Sequence, residues 1–300
     1  MRRALTIVEL LVVISIAGLL MAIVLPAVQQ ARETSRKASC KNNLRQVALA
    51  TMTYHDARGR FPHGYFIIAG GVGPDARAWS WLARLLPYAE RNDLYDRGRV
   101  GRATLRQSRA LHEQVSIFLC PSDEYSLRGP RGDAGDLEGM AVGQTNYQGV
   151  TGANWGADGS QQLADIGTDW RNMGTNGSYD GLDDGDGIMW RSDYRRVRSL
   201  RHVEDGVSHT FLAGECAPQR NRYVSWPYAN NAYATCAIPP NVVPVEGRDY
   251  SPNWWPNVNG FRSHHPGGLH FARVDASVAW LSDAIDLAAY RARATIAGGD

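Results

Sequence analysis

The chain has 300 residues and a formal net charge of +2. Proteins that bind nucleic acid normally concentrate positive charge on one face, so this balance argues against a nucleic-acid partner. Apolar residues make up 44% of the composition, which is enough for a chain of this length to bury a substantial core.

The N-terminal segment joins a short basic leader to a long apolar run. Apolar residues dominate from residue 5 to residue 25, and Pro26 follows. About 20 residues at 1.5 Å each span the hydrocarbon core of a bilayer, so the run predicts a transmembrane helix. Glu9 is its one charged residue, and a carboxylate at that depth is costly enough to indicate a function. A signal peptide and a plain anchor are the alternatives, but no small-x-small cleavage site follows the run, and a plain anchor does not explain Glu9.

This segment resembles the N-terminus of type IV pilins and of the pseudopilins of type II secretion. In that family a short leader is removed, the new N-terminus is methylated, and Glu stands at the fifth mature position. Cleavage after Ala4 makes Leu5 the first mature residue and Glu9 the fifth, and Pro26 falls where pilins often carry proline. The resemblance therefore assigns Ala4 and Leu5 to processing, and Glu9 and Pro26 to assembly.

The resemblance implies a structural subunit that a prepilin peptidase/methylase processes. Its other expected partners are membrane lipid, a secretion or pilus assembly platform, and other pilin-like subunits or copies of itself. It implies a single-pass protein of the inner (cytoplasmic) membrane with an extracytoplasmic head, or a place in a surface or periplasmic filament. Charge alone leaves the orientation open, because basic residues flank both ends of the apolar run. Glu9 is expected to pair with the N-terminal amine of a neighbouring subunit and so to fix axial register.

The predicted fold class is α+β, with a long N-terminal helix packed on a mainly antiparallel sheet, as in pilins. Apolar spacings of three and four continue after the membrane run, so we predict one helix over residues 5–56 that spans the membrane over residues 5–27. The head is assigned to residues 57–300. Within it, helices are predicted near residues 79–86 and 102–114, and strands at residues 115–119, 210–213 and 232–236.

The C-terminal region carries His265 and Asp275, separated by nine residues and followed by Ala276. Residues on both sides of the Asp alternate in the manner of strands, which predicts a hairpin over residues 269–280. A metal or ligand site at the His and Asp is the alternative interpretation.

A second resemblance covers residues 40–300. It is to a large uncharacterised bacterial family that follows a prepilin-type N-terminus and ends in an H-x9-D-G motif, in which Ala276 replaces the Gly. That replacement costs about 1 kcal/mol if the turn requires a positive φ. The matching pieces include Cys40-Lys41-Asn42-Asn43-Leu44, Leu119-Cys120-Pro121-Ser122-Asp123 and Gly214-Glu215.

Four cysteines lie far apart in the chain and form no C-x-x-C motif, which argues against zinc and thioredoxin-type sites. In an extracytoplasmic protein such a set suits two disulfides. Of the three possible pairings we favour Cys40 with Cys120 and Cys216 with Cys236. Four buried thiols are the alternative.

Residues 156–187 are rich in Gly and Asp, and we predict a long loop or insertion there. Asp180, Asp183, Asp184 and Asp186 offer oxygen ligands suited to calcium, the single cofactor candidate. The spacing is not that of an EF-hand, and a solvated acidic loop is the alternative.

The chain contains no serine-hydrolase, P-loop, zinc-protease or dinucleotide fingerprint, so we do not expect an enzyme. The alternative to a structural subunit is a membrane-tethered extracytoplasmic binding module that forms no filament. Such a module would recognise polysaccharide or an exported protein, with Trp254 and Trp255 as a platform for sugar rings, although core packing also explains these two residues.

Overall fold

The structure is a computed structural model that describes residues 7–65, 72–155, 184–242 and 258–299. It confirms the α+β class, because a long N-terminal helix precedes a head built on an open, mostly antiparallel five-stranded sheet. Some residues singled out by the sequence lie outside the described ranges, and the expectations about them stay predictions: Ala4, Leu5, Asp180, Asp183, Trp254 and Trp255.

Helix α1 runs from Ile7 to Arg58 and includes Pro26. Its first part, residues 7–28, is exposed along its whole length, although it is almost entirely apolar. At 1.5 Å per residue these 22 positions cover about 33 Å, close to the thickness of a bilayer hydrocarbon core. We call residues 7–28 the apolar half of α1.

The second half of α1 turns one face to the head. Leu44, Val47 and Ala48 are completely buried there, as their spacing of three and four residues predicts. The helix ends at Gly59, which adopts a φ of +68° and whose N–H donates to the carbonyl of His55. A glycine in the left-handed region is the common way to close a helix, since the absent Cβ removes the steric penalty.

The sheet has the strand order β3-β1-β2-β4-β5. Strand β1 pairs in parallel with β3, and the other neighbours pair antiparallel. The strands are β1 (Tyr147–Val150), β2 (Phe211–Glu215), β3 (Tyr233–Ala234), β4 (Gly268–Arg273) and β5 (Val278–Ser282). In the described ranges, the short α-helices α2 (Trp81–Leu85), α3 (Asn92–Gly98) and α4 (Leu287–Ala292) accompany them.

The sheet separates two apolar clusters. Leu269 and Phe271 of β4 pack with Tyr290 of α4 on one face. Ala272 of the same strand belongs to the main core, which also contains Leu44 of α1. This division follows from the alternation of side chains along a strand.

A β-bulge in β2 changes the face to which its residues point. Phe211 packs in the cluster away from α1, whereas Ala213 packs in the core that contains α1 residues. In a regular strand these two residues would share a face, and the register shifts between them. The bulge therefore places Glu215, two positions further on, on the α1 side of the sheet.

The predicted C-terminal hairpin is confirmed as β4 and β5, and the predicted strand at residues 210–213 corresponds to β2. The strand predicted at residues 115–119 is wrong, since Ser116–Phe118 form a 3-10 turn. Two of its carbonyl groups accept hydrogen bonds that do not belong to a β-sheet. The carbonyl of Phe118 accepts from the Asn146 N–H, and that of Leu119 accepts from the Asn43 side chain. The helix predicted at residues 102–114 is also wrong, and this segment is a series of turns.

The hairpin turn holds Ala276 in the left-handed region, at a φ of +63°. The N–H of Arg273 donates to the carbonyl of Ser277 at 2.8 Å and closes the turn. The carboxylate of Asp275 accepts from the Ser277 N–H at 2.8 Å. Position 276 therefore favours glycine because of its positive φ, and the Asp275 side chain stabilises the turn through its hydrogen bond.

We predict that Ala276→Gly raises the free energy of unfolding by about 1 kcal/mol, because glycine adopts a positive φ without steric penalty. Chemical denaturation of the purified protein measures this. Ala279→Gly in β5 is the matched control and should lower stability, since glycine weakens a strand. A loss of stability in Ala276→Gly would contradict the conformational account of the motif.

Candidate functional site

A polar cluster with a buried centre joins α1 to the sheet just beyond the apolar half of the helix. We call it the junction cluster. Its members come from one face of α1, from a loop, from three strands and from the approach to β4: Glu33, Lys37, Cys40, Cys120, Glu215, His265, His270 and Trp280.

His265, the His of the C-terminal motif, connects the helix to the sheet. Its Nδ1 lies 2.8 Å from Oε1 of Glu33 on α1, and its Nε2 lies 3.3 Å from Oε1 of Glu215 on β2. The imidazole side chain is completely buried. Glu33 also accepts a hydrogen bond from Ser122 at 3.1 Å and forms an ion pair with Arg36 at 2.9 Å.

Glu215 lies at the centre of the junction cluster and is 2% exposed. Besides His265, it contacts His270 of β4 twice. The His270 N–H donates to Oε2 at 2.7 Å, and His270 Nδ1 lies 3.1 Å from Oε1. A carboxylate can be buried at low cost only when such partners replace its hydration.

These contacts shift the pKa values of the cluster. Burial disfavours the charged form of Glu215, but the hydrogen bonds from His265 and His270 outweigh it and lower the pKa of this carboxyl to about 2. Burial similarly opposes ionisation of Glu33, and hydrogen bonds from His265, Arg36 and Ser122 lower its pKa. Burial also opposes the charge on His265, but Glu215 and Glu33 prevail and raise the pKa of the imidazole.

Lys37 and Trp280 cover the outer side of the cluster. The Lys37 Nζ lies 2.9 Å from the centroid of the Trp280 ring, in a cation–π contact that joins α1 to β5. Burial lowers the pKa of Lys37, and Glu215 and Glu33 act in the opposite direction. The lysine thus supplies positive charge beside the carboxylates of Glu33 and Glu215.

A disulfide joins Cys40 of α1 to Cys120, the first of the two pairings that we favoured. It closes a loop with a sequence separation of 80 residues. The hydroxyl of Tyr147 donates to the Cys40 carbonyl at 2.8 Å, so β1 is tied to the same turn of the helix.

The second pairing, between Cys216 and Cys236, does not form, and both residues are buried free thiols. The reason is their position along β1. The Cys216 N–H bonds to the carbonyl of Asn146, and the Cys236 N–H to that of Gly152. Six residues of extended chain separate these partners by roughly 20 Å, far beyond the Cα separation that a disulfide permits.

Four potential ligand atoms of the cluster, from Cys40, Cys120, Glu215 and His265, lie within 4.8 Å of one another. Zinc would require the sulfurs as thiolates, and here they are joined to each other. Glu215 and His265 also contact each other, through the carboxylate oxygen and the ring Nε2. In this oxidised form the cluster is suited to clamping the helix to the sheet.

The motif residues His265 and Asp275 are not brought together. His265 belongs to the junction cluster, whereas Asp275 lies in the hairpin turn, where its N–H also donates to the carbonyl of Val207 at 3.0 Å. Strand β4, Gly268–Arg273, separates them by its full length. The alternative interpretation, in which His265 and Asp275 share a metal or ligand site, is therefore wrong.

The two described aspartates of the predicted calcium loop contact protein groups. Asp184 pairs with Arg196. Asp186 accepts from the N–H of Ala153 at 2.7 Å and from that of Asn154 at 3.3 Å. Burial raises the pKa of Asp186, against the opposing effect of these bonds. Calcium binding stays a prediction for this segment.

Glu9 and Pro26, the predicted assembly residues, both lie on the exposed apolar half of α1, outside the junction cluster. Sequence reasoning missed Glu33 and Glu215 as site residues. The available signal for Glu215 was a carboxylate ending an otherwise apolar strand, Phe211-Leu212-Ala213-Gly214-Glu215, whose burial requires a partner.

Comparison with known proteins gives one match. The sequence profile of a family described as a protein of unknown function (DUF1559) matches residues 29–288. This range includes every member of the junction cluster and begins within α1. No curated protein and no solved structure matches the chain.

We predict that the double variant Cys40→Ser with Cys120→Ser loses about 2–5 kcal/mol of unfolding free energy, because an unfolded chain without this long-range link gains entropy. Denaturation with and without reductant measures this. Reductant should destabilise the wild type and leave the double variant unchanged. The matched control, Cys216→Ala with Cys236→Ala, should retain the sensitivity of the wild type, and its loss there would contradict the observed pairing.

Unfolding should depend on pH in two regions. Glu215 has a depressed pKa, so its stabilisation is present above the unfolded value of 4.5 and is lost as pH falls toward 2. His265 has a raised pKa, so its stabilisation is present below the unfolded value of 6.5 and is lost as pH rises through the folded value. Stability should therefore be greatest between these two unfolded values, as denaturation at a series of pH values measures.

His265→Gln should remove the alkaline part of this dependence and weaken the acid part, since Glu215 loses a partner. His112→Gln is the control, because that histidine is 60% exposed and lies outside the junction cluster. An alkaline loss that persists unchanged in His265→Gln would show that other groups are responsible.

Proposed function

The chain belongs to the DUF1559 family of proteins of unknown function, and we propose that it is a membrane-anchored, pilin-like structural subunit. Its role is assembly into an envelope filament or secretion pseudopilus, and it needs neither catalysis nor a cofactor. The proposed partners are a prepilin peptidase/methylase, an assembly platform, and copies of itself or related subunits. The proposed location is the cytoplasmic membrane, with the head outside the cytoplasm.

The exposed apolar half of α1 is the observation that supports this proposal. No part of its membrane-length window is buried inside the protein. Exposed apolar surface of this extent requires an apolar surrounding, which lipid supplies before assembly and neighbouring helices supply in a filament. One continuous helix, Ile7–Arg58, carries both this surface and the head.

The junction cluster supports the same proposal from the other half of the helix. A subunit in a filament must hold its head at a fixed angle to its packing helix. The Cys40–Cys120 disulfide, the bridge from Glu33 through His265 to Glu215, and the Lys37–Trp280 contact all connect α1 to the head. These are three different kinds of contact at neighbouring turns of the helix.

Glu9 is proposed to set the axial register of packed subunits. It lies in the exposed apolar half, one turn from the predicted mature N-terminus at Leu5. Pairing with the amine of an adjacent subunit would compensate both charges in an apolar surrounding, and a misaligned neighbour would leave one of them uncompensated.

We predict that Glu9→Leu inserts into the membrane but fails to assemble, because the charge that selects the register is gone. Electron microscopy of cells and of sheared envelope fractions measures filament formation. Ser15→Ala is the matched control: it removes the polar group that donates to the Leu11 carbonyl within the same helix, and should assemble normally. Normal filaments from Glu9→Leu would contradict the register role.

Intact-mass measurement of the wild type and of Glu9→Leu, purified from native membranes, separates assembly from processing. Loss of residues 1–4 and gain of one methyl group on Leu5 are expected in the wild type. A retained leader in the wild type would contradict the pilin-like proposal and favour a plain anchor.

A further inference from the structure

A groove rich in arginine and tyrosine lies at the end of α1 that is remote from the apolar half. Its main cavity has a volume of roughly 240 Å³ and is lined in part by Arg58, Arg60, His63 and Arg84. A second cavity of roughly 210 Å³ shares Tyr65 and Arg84 with it and adds Arg77. We call the two adjoining cavities the arginine–tyrosine groove.

Neutral groups hold the guanidinium groups of the groove in place. Arg84 Nε donates to the carbonyl of His63 at 2.7 Å, and its guanidinium lies 4.9 Å from the centroid of the Tyr65 ring. Arg58 Nε donates to the hydroxyl of Tyr88 at 3.3 Å. Of the residues that the structure describes, those that line the two cavities include no acidic side chain. The described part of the groove wall therefore presents positioned cations and no carboxylate that neutralises them.

The carboxyl group of Asp193 lies close enough to Arg84 to interact with it electrostatically, but Asp193 does not line either cavity. It is buried, it accepts from the Gly64 N–H at 2.7 Å, and burial raises its pKa well above the usual range. Its hydrogen bond is made to the Gly64 backbone, outside the wall of the groove.

His63 provides a second, independent observation. The side chain is 5% exposed, and among the described residues its Nδ1 has no hydrogen-bond partner. Burial, together with Arg84 and Arg60, lowers the pKa of this imidazole to about 3, so the ring is neutral at physiological pH. A buried polar atom without a partner is uncommon in a folded protein, and here it lies in the wall of a cationic cavity.

We propose that the arginine–tyrosine groove binds an acidic polysaccharide, with a uronate carboxylate held by Arg58, Arg60 and Arg84. Guanidinium groups match carboxylates in geometry and charge. Tyrosine hydroxyls and ring edges around them suit the hydroxyls and apolar faces of sugar rings. Two adjoining cavities that share Arg84 accommodate consecutive units of a polymer better than a single small anion.

The position of the groove fits this ligand. Arg58 lies 30 residues beyond the end of the apolar half of α1, which corresponds to about 45 Å along the helix. A groove at that end is distant from the anchoring segment, at a position where an envelope polymer is accessible. This inference goes beyond the structural role proposed above and does not depend on filament formation.

Isothermal titration of the full chain with an oligogalacturonate tests the proposal. The protein is kept in a polyoxyethylene detergent, because a detergent with a sugar headgroup would compete. The fully methyl-esterified oligosaccharide is the matched ligand control, since it keeps the sugar rings and lacks the charge. We expect binding of the acid form and none of the ester.

Arg58→Gln with Arg60→Gln should weaken binding by about tenfold or more, because two charge-assisted hydrogen bonds are lost. Both side chains are exposed, so the fold should be retained. The control pair, Arg128→Gln with Arg293→Gln, removes the same charge from exposed positions outside the groove and should bind normally.

Four results would overturn the proposal: equal weakening in the control pair, equal binding of the ester, displacement by inorganic phosphate at similar concentration, or tighter binding of a single-stranded oligonucleotide. The Glu9→Leu variant is expected to bind the oligogalacturonate as the wild type does, even where it fails to assemble. A failure of the filament proposal can therefore be distinguished from a failure of the binding proposal.

Discussion

Two carboxylates that face one histidine between a helix and a sheet, one of them fully buried, impose the main constraint on this molecule. Glu33 and Glu215 lie on different elements. Glu215 is fully buried and Glu33 is partly buried, so burial makes the charge of each more costly unless a partner compensates it. His265 compensates both through its two ring nitrogens, and Lys37 adds positive charge beside them. The helix, β2 and the approach to β4 therefore have to meet at one point.

Other features of the head are consistent with this requirement. The bulge between Phe211 and Ala213 turns Glu215 toward the helix, and without it that carboxylate would point into the opposite apolar cluster. His270 contacts Glu215 through both its backbone and its ring because β4 lies directly beside β2. The disulfide at Cys40 then makes the meeting point covalent.

The parts of the fold that sequence could predict are those with a strong local pattern. The long helix follows from its periodicity, and the C-terminal hairpin follows from alternation around Asp275, with Ala276 in the conformation that glycine prefers. Strand β1 has only four residues, all buried, and offered no such pattern. The 115–119 run was misassigned because distant side chains and loops, and not a neighbouring strand, satisfy its backbone.

Apart from the Cys40–Cys120 disulfide, the contacts of the junction cluster were beyond sequence reasoning, because they join α1 to residues far away in the chain. Glu33 and His265 are 232 positions apart, and nothing near either residue indicates the other. The motif suggested a relation between His265 and Asp275, but β4 holds them at opposite ends. The number of cysteines likewise does not indicate where each one lies along a strand. The predicted Cys216–Cys236 pairing was wrong because the two residues lie beside opposite ends of β1.

The order of contacts along α1 has a mechanical consequence. If the apolar half is drawn out of a membrane, axial tension reaches the head first at Glu33, Lys37 and Cys40, before it reaches the apolar packing of Leu44 and Val47. The covalent link at Cys40 transfers that load to the loop around Cys120, in parallel with the hydrogen bonds of the buried ion pairs. The head is thus pulled as one body, and the side-chain packing further along the helix is shielded from shear.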